Sequence, residues 1–529
     1  DQDTSWGAWQ AEHLLNRAGF GALPRQAERW AEKGQEALVD HLLGVKNPVL
    51  FDWEMIKIDR RALVDATPEE RRKATGQVRS DDRDQLQEFV GWWLTRMVDG
   101  KDPLVERMSL FWHGHFTSSI RTVKRGGAML QQNEIQRMHA LGNFGSLLRE
   151  MLRDPAMLVY LDNDENEKGK PNENLAREVM ELFTLGEGNY SEQDVVEAAR
   201  ALTGYATSEG EFRFRMKMHD YGRKSILGIK GRHDAEDLAE ILLAQPACAD
   251  WVARRIVRYL EGLDPTPERA AKYGTILRDA EYEVRPLLRA LFMDPDFYRA
   301  EVVGAKVLSP VDFVVGTARR LGIEVHPKVL GVATGILGQS LLQPPNVKGW
   351  EGGMSWLSTA TLMQRGNLAG ALLGVIDTDD VLTDEAAMEA LDDMSMPPEM
   401  EMEEGEMMAM ANIEEMAAEL ESTGTKSTSM GKLLVTLERR GYKPRMRLLK
   451  GLGDVAAGTD KEVVSALCDR LLAIDAPSET ITMLVGILAQ ERAALSVDEG
   501  QLQDKARAGE RILRRLAHLI LSLPEAQLG

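Results

Sequence analysis

Carboxylates, amides and imidazoles recur in stretches that otherwise read as packed helix, and these are the residues whose types suit chemistry. The densest stretch is PNENLAREVMELFTLGEGNYSEQDVVEAARALTGY, Pro171 to Tyr205. With successive residues about 100° apart on a helix, Leu175, Val179, Leu182 and Phe183 form an apolar stripe. Arg177, Glu181 and Thr184 lie opposite. Glu178 falls at the margin of the stripe, so its carboxylate is part-buried and needs a cation, an imidazole or a metal within reach. Glu181 follows about one turn later and has Arg177 four residues before it, a spacing that permits an ion pair. Asn172 and Arg200 complete this polar set. Two readings stay open: a site that divides acid and base roles around Glu178, or a network that fixes how helices pack, with Arg200 as the partner of Glu178.

Further groups lie on either side. In LDNDENEKGKPNE, Asp162, Asp164 and Asn166 occupy positions 1, 3 and 5 of a calcium-loop pattern, with Glu173 at position 12. Oxygen ligands at this spacing suit a hard cation. Glu167 stands where the pattern needs a turn glycine, which leaves a solvated acidic loop as the other reading. FWHGHF supplies His113 and His115, which do not share a face of a helix, so one functional imidazole fits better than a metal-binding pair. HDYGRK supplies His219, Asp220 and Lys224, where a carboxylate beside an imidazole can orient it and raise its basicity. The loop QPPNVKGWEGGMSW, with two prolines, three glycines and two tryptophans, can wall a cleft or plug the core. A divalent ion, calcium or a transition metal, is the cofactor these groups suit. The chain has no Walker A loop, dinucleotide fingerprint, nucleophile elbow or HExxH.

These groups must be held by helices. Trp9–Arg17, QEFVGWWLTRMV, LVERMSLFWHGHF, ADWVARRIVRYLEGL and GERILRRLAHLILSL all place apolar residues three and four apart. FGSLLREMLRDPAMLVYL reads as a helix broken at Asp154-Pro155. Around the dense stretch, Asn174 can cap the first helix, Gly186 and Gly188 end it, Ser191 and Asp194 form a capping box for the second, and Gly204 ends that one. EFRFRMKMHD alternates with period two and predicts a strand, with KSILGIKG as its partner. The expected fold is mainly α: a multi-helix bundle with one small antiparallel β-hairpin inserted near 205–230.

The chain has 529 residues, too many for one ordinary core. Its net charge of −20 argues against a nucleic-acid partner. No apolar run is long enough to span a membrane. Cys248 and Cys468 are too few for a disulfide scaffold; one bridge or two buried thiols both fit. The chain begins at Asp1 rather than Met, which a removed leader or a trimmed chain explains equally. The acidity is local: residues 366–425 hold 17 Asp and Glu and no Lys or Arg, leaving −3 for the rest. Nine methionines fall between Met388 and Met416. A solvated linker, a thioether site for a soft ion and a Met-rich contact surface all fit this segment. The expected organisation is a helical core over 1–375 and a mobile acidic insertion over 376–425. C-terminal helices over 426–529 then pack back on the core.

HLLNRAGFG, FWHGHF, MLVYLDN, the NEN-to-TGY stretch, HDYGRKSILG, PPNVKGW and LILSLPEAQL occur together and in this order. In this the chain resembles the bacterial domain-of-unknown-function 1800 family over nearly its whole length. The family pattern falls on His115, Asp162, Asn172, Glu173, Asn174, Arg177, Glu178, Glu181, Thr203, His219, Asp220, Lys224 and Gly349-Trp350. The Met-rich stretch is outside it. The resemblance implies export to the periplasm, cell surface or medium. It also implies a partner, another exported protein encoded nearby and similar to the alkaline-phosphatase group. It implies no agreed reaction. Two functions follow: an exported enzyme with a metal-assisted or acid–base site built from Glu178, His115, His219, Asp220 and Lys224, or a non-catalytic scaffold that binds a partner protein or surface polymer. Convergence of Glu178, His115 and His219 on an open cleft favours the first; scattered or sealed side chains favour the second.

Overall fold

The computed structural model describes residues 6–56, 66–208, 210–375 and 445–529. It is 64% helical, with 22 helices among the described residues. α1 (Ala8–Ala18), α2 (Gln26–Lys33) and α3 (Gln35–Leu43) open the chain. The long α4 (Pro68–Asp99) leads to α5 (Pro103–His115), α6 (Ile120–Val123) and α7 (Gly126–Met138). α8 (Phe144–Met151) and α9 (Pro155–Tyr160) are separated at Asp154-Pro155. Proline opens α9 without loss because a first-turn N–H has no helical partner, and the Asp154 carboxylate accepts from the Met157 N–H at 2.8 Å. α10 (Asn174–Glu178) continues as a π-helical segment, Val179–Thr184, before α11 (Glu192–Ala201). Next come α12 (Ala235–Leu243), α13 (Pro246–Glu261), α14 (Pro267–Asp279) and α15 (Val284–Met293). They are followed by α16 (Pro310–Leu321), α17 (Pro327–Ile336) and α18 (Thr359–Leu373). α19 (Leu448–Leu452), α20 (Asp460–Leu471), α21 (Ser478–Ala494) and α22 (Ala506–Leu521) complete the set.

The mainly-α reading with a small antiparallel insertion holds, and the insertion lies between α11 and α12. Its pairing differs from the sequence expectation. β1 (Tyr205–Ser208) pairs with β2 (Glu211–Phe214), and β3 (Lys224–Ile226) pairs with β4 (Ile229–Gly231). The period-two run thus pairs with the residues just before it, and KSILGIKG folds on itself. Leu227 and Gly228, both at positive φ, make the tight turn of the second hairpin. The unusual Leu227 backbone is held by its N–H donating to Asp194 Oδ1 at 2.7 Å.

Two apolar cores share the molecule. One gathers α1, α3, α5 and α8 to α15; the other gathers α4, α7 and α16 to α22. α5 is buried on every side and contributes to both, Phe111 and Trp112 to the first and Leu110 to the second. Residues 445–529 pack into the second core and are tied to it by Arg365 donating to Gln527 and by Leu308 N–H donating to Gln527 O. Cys248 and Cys468 are free and buried. No described helix is long and apolar enough to cross a membrane. The acidic insertion over 376–425, with its expected mobility, lies outside the described residues.

Candidate functional site

The site begins with a change of helical register. α10 starts as an ordinary helix, but the Leu185 N–H bonds to Met180 O at 2.8 Å, five residues back, and Thr184 Oγ1 donates to Val179 O at 2.6 Å. The wider turn rotates the face: Thr184, expected opposite the apolar stripe, is fully buried, and Leu182, expected on the stripe, is only partly so. The last carbonyls of a helix lack internal donors, and here side chains supply them. His115 Nε2 lies 3.0 Å from Phe183 O. Trp251 Nε1 donates to Leu182 O at 2.8 Å, and Asn189 Nδ2 to Leu185 O at 2.9 Å.

His115 is therefore a support rather than a surface group. It is buried, and its ring is packed among Phe111, Trp112, Phe116, Phe144 and Phe183. Burial, reinforced by Arg255, pushes it down to about 3. The Phe183 carbonyl fixes the neutral tautomer with the proton on Nε2. His113 takes the other tautomer, because its Nε2 accepts from the Leu342 N–H at 3.1 Å; burial pushes it down to about 4.

Above this support sits Glu178, half-buried, as its place on the helix margin requires. Burial, then the neighbouring Glu181, raises it above the usual carboxylate range; Lys348 and Arg177 oppose the rise. Its side chain makes no hydrogen bond or close ion pair with any described residue. Glu181 accepts from the Tyr190 hydroxyl at 3.0 Å. That bond, after burial, pushes Tyr190 up to about 12. Tyr160, at the end of α9, is raised by burial and by Glu178. Lys348 arrives on the PPNVKGW loop, which is clamped to the end of α5: Thr117 Oγ1 donates to Val347 O, and Trp350 packs on His113 at 5.6 Å. Gly349 is required here. It has a φ of 79°, and a Cβ would meet Gly114 O at 2.6 Å. MLVYLDN, NENLAREVMELFT and PPNVKGW thus bring together Tyr160, Glu178, Glu181 and Lys348, with Tyr190 bonded to Glu181, over the support from FWHGHF; four of the five are part-buried and Lys348 is exposed.

Residues 13–528 match the family model described as "Protein of unknown function (DUF1800)". The chain belongs to that family. No curated protein and no solved structure matches it.

The other motif residues of this DUF1800 chain do internal work. Asp164 accepts from both the N–H and the hydroxyl of Thr207. Asn166 donates to Asn163 Oδ1 and Ala199 O, while its own Oδ1 accepts from Asn172 N–H. Asp162, at a φ of 55°, accepts from Asn174 Nδ2 at 3.2 Å. The calcium-loop spacing thus builds a hydrogen-bonded turn between α9 and α10. Asn172 rather than Asn174 serves the start of α10, through Oδ1 accepting from Asn174 N–H at 3.0 Å. Glu173 pairs with Arg177 at 3.0 Å, and Arg177 also forks onto Glu192 at 2.7 Å. Arg177 is therefore not paired with Glu181. Asp162, Asp164, Asn166, Glu173 and Glu181 do not come together as ligands, and among the described residues no group of three or more His, Cys, Asp or Glu side chains can hold a metal ion.

The HDYGRK group stands apart from Glu178. His219 Nδ1 donates to Thr203 O at 2.8 Å, and its ring packs on Phe214 and Tyr221. Asp220 turns away from His219 to pair with Arg200 at 2.8 Å, which holds it below the usual carboxylate range. Arg200 also takes Glu197 at 2.7 Å, so it is not the partner of Glu178. Lys224 is buried and donates to the Asp220 and Gly222 carbonyls; burial lowers it. Together these residues lock the hairpins onto α11. No hydrogen bond or ion pair links any of them to Glu178.

Two features were missed in the sequence. Lys348 lies 170 residues from Glu178 in the chain, and only the composition of its loop pointed to a wall. RAGFG, part of the HLLNRAGFG motif, is the hub of a buried arginine cluster. Arg107 donates to Gly19 O and lies 4.0 Å over the Phe20 ring, and Arg319 Nε donates to Gly21 O at 2.9 Å.

Proposed function

We propose that this DUF1800 protein is an exported protein with an acid–base site centred on Glu178 that acts on an extracytoplasmic polymer or protein. The observation that carries the reading is Glu178 itself. It is a half-buried carboxyl with a raised proton affinity and no hydrogen-bond or ion-pair partner for its side chain among the described residues, set where four separate motif segments meet. A carboxyl moved toward neutral pH is matched to proton transfer. Glu178 would give or take the proton. Glu181, oriented by Tyr190, would hold a donor group of the bound molecule. The exposed ammonium of Lys348 would face developing negative charge. The π-helical register supports the reading, since such segments concentrate at functional sites. The donor set does not fit a metal ion, and no step is assigned to one. Export is carried by the family resemblance alone, and fractionation of producing cells checks it.

Wild type and Glu178→Gln are compared on surface-polymer and secreted-protein preparations from a producing bacterium, with released products read by mass spectrometry. Release by the wild type and a loss of about 100-fold or more in the variant is expected, with unchanged melting temperature. Equal release by both proteins overturns the assignment of Glu178. A second reading, the non-catalytic scaffold, is favoured by the sealing of His115, His219 and Lys224. It predicts binding to the same preparations without product from either protein.

A further inference from the structure

A cavity lies where α1, α5 and α16 meet. It is lined by Asn16, Arg17, Arg107, Lys306, Asp312 and Arg320, and its free volume is about 10 Å³. That is room for one particle the size of a water molecule. Four basic side chains and one acidic side chain therefore share its wall with Gly529, whose N–H donates to Lys306 O at 2.8 Å. Asp312 is already engaged: Arg107 reaches it at 2.6 Å and Lys306 at 3.2 Å, and Ser309 donates to it at the start of α16.

Arg17 and Arg320 have no carboxylate within ion-pair distance among the described residues. Arg17 spends two nitrogens on the carbonyls of Leu260 and Val302, and Arg320 donates to Leu471 O at 3.1 Å. Arg17 is 1% exposed, yet its Nε–H has no partner, and neither does Asn16 Oδ1. The Asn16 amide can rotate to present its NH2 instead. Burial lowers both arginines; Asp312 opposes this at each, with Glu261 helping at Arg17 and Glu12 at Arg320, and burial pushes Glu12 up to about 7. Burial, then Arg107, pushes Lys306 down to about 7. An excess of buried positive charge is costly unless an anion offsets it.

We propose that this cavity is a binding site for a single halide ion, chloride in the native setting, held by Arg17 Nε–H, Arg320 and the Lys306 ammonium. The volume excludes phosphate, sulfate and carboxylates, and the unpartnered Arg17 Nε–H among basic side chains favours a monatomic anion over water. The ion would lock the RAGFG turn between the two cores.

Crystals of the full chain soaked in sodium bromide, with diffraction data at the bromine edge, test this directly. One strong anomalous peak in the cavity, against Arg17 Nε, is expected; ordinary water density there without anomalous signal overturns the proposal. In solution, the melting temperature at constant ionic strength should rise by roughly 1–2 °C for each tenfold increase in chloride above its dissociation constant, with gluconate as the balancing anion. Asn16→Asp places a fixed negative charge on the cavity wall, so this variant should fold and lose the chloride dependence. A chloride dependence that persists in Asn16→Asp assigns the effect to the surface and overturns the proposal.

Discussion

The carboxyl of Glu178 and the imidazole of His115 are displaced in opposite numerical directions for one reason: burial disfavours the charged form of each. For His115 this has a consequence for stability. Its folded value is about 3, against about 6.5 in an unfolded chain. Between those limits the unfolded state binds a proton that the folded state does not. Stability contributed by His115 is therefore intact above pH 6.5 and is lost on acidification, by about 1.4 kcal/mol per pH unit. Asp154, raised to about 7 by burial, acts in the opposite sense, losing stability as pH rises from its unfolded value to 7. The difference between variants isolates the histidine. His115→Gln keeps an N–H for Phe183 O but does not titrate. In urea melts from pH 6.5 to 4, the wild type should lose stability faster than the variant, by about 1.4 kcal/mol per pH unit. Parallel curves would show that His115 is protonated in the native state.

At the scale of the element, the π-helical segment is stable because distant donors complete its end. Trp251 on α13 serves Leu182 O, and its ring also shapes the turn that follows: a Cβ at Gly186, whose φ is 77°, would meet Trp251 Cε3 at 2.7 Å. Trp251→Phe preserves much of the packing and removes the donor. Leaving that carbonyl without a partner should cost about 1–3 kcal/mol. Amide exchange over 183–187 should quicken more than over α11, where the Ser191–Asp194 capping box is untouched. Unchanged exchange over 183–187 would mean that the register needs no support from α13. The hairpins follow a similar logic. Thr203, His219, Asp220 and Lys224 use side-chain bonds to fasten irregular backbone onto α11, which accounts for polar residues that looked functional.

At the scale of the whole molecule, buried arginines join the two cores. Asp312 on α16 belongs to an element of the second core, whereas Arg107 on α5 reaches it from beside the first. Burial opposes ionisation of Asp312, but Arg107 and Lys306 together hold it far below the usual carboxylate range. Removing one member of a buried pair strands the other charge, so Asp312→Asn should destabilise by about 3–5 kcal/mol. Chemical denaturation should show the two cores unfolding less cooperatively. A loss under about 1 kcal/mol, in the range of an exposed ion pair, would contradict this account.

Local rules determined much of this protein. Helical spacing marked the helices, Asp154-Pro155 marked a break, and Ser191 with Asp194 marked a cap. Gly186, Gly188 and Gly204, all at positive φ in the fold, marked ends. The margin position of Glu178 foretold its half-burial, and the motif order identified the family. These features depend on neighbours within a turn or two, so the sequence displays them. The surroundings of Glu178 were different: tertiary structure left its carboxyl without a hydrogen-bond or ion-pair partner among the described residues, brought the charge of Lys348 to bear on it from a loop clamped to α5, and sent His219, Lys224 and Arg200 elsewhere. The π-helical register also rests on His115 and Trp251, donors from other helices. The arginine cluster rests on backbone carbonyls, which every residue carries and no sequence pattern reveals. Spacing shows which face a side chain occupies, but only the folded chain decides what stands opposite.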